Sequence, residues 1–91
     1  MRIVGELPHP RLKITLMHHG RYLLKLEDVD AELTYRFRDG EGVRDLESAQ
    51  RALDLGLMQE AERALVALQT ARRQVGGRLH EPGGASFPEI I

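Results

Sequence analysis

The sequence predicts an α+β fold: a three- or four-stranded antiparallel meander followed by two C-terminal helices packed on one sheet face. Three observations predict it. Apolar and polar residues alternate within residues 12–17, 22–27 and 32–38, the period of half-buried strands. From residue 43 the apolar spacing changes to three and four. Glycine, proline and aspartate punctuate the runs where a chain would turn.

The elements follow in order. Ile3 and Val4 suit a short first strand, ended by the breaker Pro8-His9-Pro10. In the second, Leu12, Ile14 and Leu16 face one way and Lys13, Thr15 and Met17 the other. In the third, Tyr22, Leu24 and Leu26 oppose Leu23, Lys25 and Glu27. A three-residue loop at His18-His19-Gly20 pairs Leu16 with Tyr22, Ile14 with Leu24 and Leu12 with Leu26, so one face takes all the apolar side chains. Gly20 then occupies the left-handed position of the turn. The connection near Val29-Asp30 has two or four residues; either keeps Leu33, Tyr35 and Phe37 on the core face of the last strand.

Val43, Leu46, Ala49 and Leu53 recur at helical spacing and stop at Leu55-Gly56. A second stripe, Met58, Ala61, Leu65, Leu68, Arg72 and Val75, predicts a second helix capped by Gly76-Gly77. Residues 1–77 thus make one α+β domain. Residues 78–91, with Pro82, Gly83, Gly84 and Pro88, read as an extended tail.

The chain of 91 residues has no cysteine, which excludes disulfides, thiolate nucleophiles and cysteine-bound metal. Its net charge of −1 is uneven: +3 over residues 1–27, −6 over 28–62 and +2 over 63–91. No apolar run approaches the roughly 20 residues of a membrane span. MRIVGELPHP lacks the apolar region of a secretory signal, so a cytoplasmic protein with no membrane partner is expected.

Candidate chemistry is sparse. His9, His18 and His19 would make a three-imidazole metal site if the first strand met the turn, but helical ligand spacing is absent and adjacent strand residues point to opposite faces. Loop histidines are more often solvated turn residues. Asp28, Asp30 and Glu32 resemble the start of a calcium loop, yet Leu33 stands where that loop needs glycine. Asp39-Gly40-Glu41-Gly42 precedes a helix without the further glycine or lysine of a phosphate loop. Ser48 and Ser86 have no evident histidine–acid partners. The expectation is no catalytic, cofactor-binding or metal-binding residue.

Two surfaces remain. Lys13, Lys25, Arg36 and Arg38, extended by Arg11 and Arg21, would make a basic outer sheet face able to contact phosphates, though without stacking aromatics. Phe87, Ile90 and Ile91 form an apolar cluster suited to docking on a partner or folding back on a sheet edge.

IVGELPHPRLKIT, followed by RYLLKLE and ELTYRF, resembles a group of small, functionally uncharacterised bacterial proteins that open with a Pro-His-Pro-x-x-Lys-Ile segment. The resemblance covers residues 3–37 and implies no activity. The expected function is a non-catalytic protein-interaction module or accessory subunit without cofactor. A nucleic-acid-binding module using the basic sheet face is the alternative.

Overall fold

Four strands of six residues follow one another: β1 (Arg2–Leu7), β2 (Lys13–His18), β3 (Tyr22–Glu27) and β4 (Glu32–Phe37). In the computed structural model, which describes residues 1–79, they form one antiparallel sheet in the order β1-β2-β3-β4. Two helical segments follow, α1 (Leu46–Ala52) and α2 (Met58–Leu79). The α+β class and the antiparallel sheet are as the sequence predicts.

The register of the central hairpin differs from expectation by two residues. His18 pairs with Tyr22, Leu16 with Leu24 and Ile14 with Leu26, so the loop is His19-Gly20-Arg21. A two-residue slip preserves which side chains share a face, and the apolar pattern is identical in both registers. Gly20 has φ +75°, the left-handed conformation expected of it. The β3–β4 connection takes the four-residue form: Glu27 pairs with Glu32, and the Asp28 N–H donates to the Ala31 carbonyl at 2.8 Å.

The sheet's inner face supplies Ile14, Leu16, Leu24 and Leu26, each at most 1 % exposed. Leu53 and Leu65 bury against them, with Ala49 and Ala61. Full burial of each such leucine or isoleucine stabilises the fold by roughly 1.5–3 kcal/mol. At Gly5, opposite Leu16, a Cβ would stand 2.7 Å from Leu46 Cδ1. The missing side chain therefore lets α1 settle onto β1.

Asp45 starts α1 from an extended backbone. Its Oδ1 accepts the Ser48 N–H at 2.8 Å, while Ser48 Oγ accepts the Asp45 N–H at 3.1 Å. These reciprocal bonds satisfy donors that a helix start leaves free.

The expectation of two separate helices is not confirmed. Residues 46–79 form one joined helical stretch, without an intervening loop, bent across Leu53–Leu57. Gly56 supplies the bend at φ +125°, a conformation open to glycine and costly for other residues. The predicted cap at Gly76-Gly77 is also absent: α2 passes through both glycines to Leu79. Each costs only about 1 kcal/mol relative to alanine inside a helix, and 18 helical residues precede them. Of the proposed tail, Arg78 and Leu79 thus belong to α2; the rest lies outside the described residues. Among the described residues, no helix is long and apolar enough to cross a membrane.

Twenty-two residues make α2 about 33 Å long, whereas a six-residue strand spans about 20 Å. Ala61, Leu65 and Gln69 are buried, and residues 70–79 are exposed apart from half-buried Gly76. The distal half of α2 therefore runs on beyond the sheet that covers its start.

Candidate interaction surfaces

On the outer sheet face, cross-strand pairing sets the side chains in rows. One row reads Lys13, Glu27, Glu32; the next Glu6, Thr15, Lys25, Thr34; the third Ile3, Met17, Leu23, Arg36. Lys25 Nζ lies 3.3 Å from Glu32 Oε2 and 3.7 Å from Glu27 Oε1. Arg38 follows the end of β4, and its N–H donates to the Glu41 carboxylate. Lys13, Lys25 and Arg36 do share this face, but Glu6, Glu27 and Glu32 interleave with them. The third row is mostly apolar, with Ile3 exposed.

Arg11 does not extend that face. Its guanidinium turns to the helical side, donating to Asp28 Oδ2 at 2.6 Å and to Glu62 Oε2 at 3.2 Å. Gln69 of α2 donates to the same Asp28 oxygen at 3.2 Å, and the Val29 N–H donates to Oδ1 at 2.8 Å. The Asp28 side chain is only 6 % exposed. The Val29 hydrogen bond is the main reason its carboxyl titrates below the ordinary value of 3.8. Burial opposes that shift, while Gln69, Arg11 and Arg73 add to it. Asp28 thus ties two sheet connections to α2.

His9 has a related role. Its Nδ1 accepts the Arg11 N–H at 3.1 Å and the Leu12 N–H at 2.9 Å, closing the β1–β2 connection. His18 packs edge-on against Tyr22, ring centroids 4.6 Å apart, at the far end of β2. His19 is exposed in the turn. The length of β2 separates His9 from the other two imidazoles. No cluster of three metal-ligating side chains occurs among the described residues.

The remaining surface is the flank of α2. On one side of the buried line Ala61–Leu65–Gln69, Glu62 reaches Arg11, while Gln69 within the line reaches Asp28. On the other lies Glu60; burial first and the Glu60 charge second hold the hydroxyl of Tyr35 in β4 above its ordinary value. The side bearing Glu60, Ala64, Leu68, Ala71 and Val75 therefore looks toward the β4 edge. Leu68 is 47 % exposed, Val75 49 % and Leu79 57 %. Only half of the expected stripe is core: Leu68 and Val75 belong to this exposed flank, and Gln69 takes the buried place.

The chain matches no family model, no curated protein and no solved structure. Its surfaces must be read from their own chemistry.

Sequence reasoning missed three residues here. His9 reads as part of a breaker, but a histidine two and three residues before free N–H groups is able to accept from both. Asp28 and Gln69 lie 41 positions apart, and nothing local announces that they meet. Phe87, Ile90 and Ile91 lie outside the described residues.

Proposed function

We propose that the protein is a non-catalytic interaction module, an accessory subunit that docks onto a protein partner through the distal half of α2. The exposure of Val75 and Leu79 on a helix that outruns its own sheet carries this reading. A solvated helix end has no need of large apolar side chains. The segment 63–79 also holds Arg63, Arg72, Arg73 and Arg78 and no aspartate or glutamate. An apolar groove rimmed with carboxylates is the complementary partner surface. The interleaved acids of the outer sheet face favour this reading over phosphate contact by Lys13, Lys25, Arg36 and Arg38.

Affinity capture of the full chain at native abundance, with and without nuclease, tests the proposal alongside Val75→Glu/Leu79→Glu. The expected result is a nuclease-resistant protein partner that the double variant loses while its melting temperature is unchanged. Capture that survives the substitutions overturns the α2 surface. Capture abolished by nuclease turns the assignment to nucleic acid.

A further inference from the structure

We propose that β4 is a self-pairing edge, joining two copies of this chain into one continuous eight-stranded antiparallel sheet. The two sheet edges are built differently. β1 carries an irregularity between Ile3 and Gly5 that breaks its pairing register. Such a bulge is a device that protects an edge from further pairing. β4 has no bulge and no proline, and its register against β3 runs unbroken from Glu32 to Phe37.

Hydrogen-bond alternation fixes which groups of β4 are free. The Asp28 N–H bonds the Ala31 carbonyl, so the next pair, Glu27 and Glu32, exchanges no ladder bonds. By the same alternation Leu33, Tyr35 and Phe37 bond to β3. The N–H and carbonyl groups of Glu32, Thr34 and Arg36 point out of the sheet.

A two-fold axis at Thr34 uses all of them. It sets Thr34 opposite Thr34 of the second copy, Leu33 opposite Tyr35, and Glu32 opposite Arg36. Roughly six new backbone hydrogen bonds form. The apolar side chains of both copies stay on one face, and an acid meets a guanidinium at each end. Charged residues on an edge ordinarily deter pairing; here their order makes the strand complementary to itself. Arg36 makes no ion pair among the described residues. Centring the axis on Tyr35 instead would require the Arg38 N–H, which Glu41 already occupies. The α2 flank agrees with the choice: Ala64 and Leu68 lie on the β4 side, where the second copy would arrive.

This inference does not rest on the partner proposed for the distal half of α2, because Val75 and Leu79 take no part in the strand pairing. Sedimentation equilibrium of the full chain tests it. The wild type is expected to dimerise. Glu32→Arg sets two guanidiniums against each other and Arg36→Glu two carboxylates. Each should weaken dimerisation about tenfold or more, because the two-fold axis repeats every mismatch. The double variant Glu32→Arg/Arg36→Glu should recover the dimer. An equimolar mixture of the two single variants should form a heterodimer, a result that a folding defect cannot imitate. Thr34→Pro, which removes one outward N–H, should give a folded monomer. A wild type that stays monomeric overturns the proposal and leaves the edge to residues 80–91 or to a peptide from another protein. A double variant without recovery, or a mixture without heterodimer, also overturns it.

Discussion

His9 does with one ring nitrogen what a turn normally does with a carbonyl. Its Nδ1 accepts two consecutive N–H groups, and the proline on each side limits the conformations the loop can adopt. The Leu12 N–H is partly buried, so losing its acceptor carries a desolvation cost. His9→Ala should destabilise the protein by about 1 kcal/mol, read from urea unfolding. His9→Asn should recover most of that, because an asparagine oxygen can accept from N–H groups two and three residues on. Equal loss in both variants would mean that the ring packs rather than accepts. Asp28 is likewise an acceptor, with three donors converging on one carboxylate. Neither residue's role follows from its neighbours in the chain alone: for His9 the partners are near but the acceptor is unusual, and for Asp28 two of the three partners are distant.

Elements were legible where a period has only one solution. Alternation located the strands and placed Leu33, Tyr35 and Phe37 inward, and Gly20 marked the turn. The hairpin register escaped because a two-residue slip leaves every side chain on its face. The helical half was less legible. Gly56 was visible as an interruption, but a glycine permits a bend as readily as a stop, and the packing on either side selects between them. Gly5 shows a constraint that periodicity does not report. It reads as a weak residue in a strand, yet its bare Cα is what Leu46 packs against. Gly5→Ala should displace Leu46 and destabilise by about 1 kcal/mol. Adding Leu46→Ala should cost less than the sum of the two single changes, since it removes the group the new Cβ would strike. Strict additivity in thermal or urea unfolding would remove this contact as the reason for the glycine.

For the molecule as a whole, the sheet and the joined helical stretch meet in two ways: through the apolar core, and through polar contacts that include the Arg11–Asp28–Gln69–Glu62 cluster. The core is indifferent to pH, but the cluster is not. Asp28 and the helix-capping Asp45 both titrate below 3.8 in the folded chain, Asp28 chiefly through the Val29 N–H and Asp45 chiefly through Ser48. Well above that value both carboxylates are ionised whether folded or unfolded, and their contribution to stability is fully present. As pH falls below 3.8 the unfolded chain takes up protons first, and the contribution is lost progressively until the folded carboxyls also protonate. Stability should therefore drop on the acid side of 3.8. Asp28→Asn lowers stability near neutrality by removing the charge that Arg11 faces, but it also removes one of the two titrations. Its acid limb should be shallower than that of the wild type, and Asp45→Asn, which retains a capping oxygen, should behave likewise. Urea unfolding at a series of pH values from neutrality downward measures both slopes. Parallel acid limbs for wild type and Asp28→Asn would show that the ionised Asp28 carboxylate, with its Val29, Gln69 and Arg11 contacts, does not contribute to the acid limb.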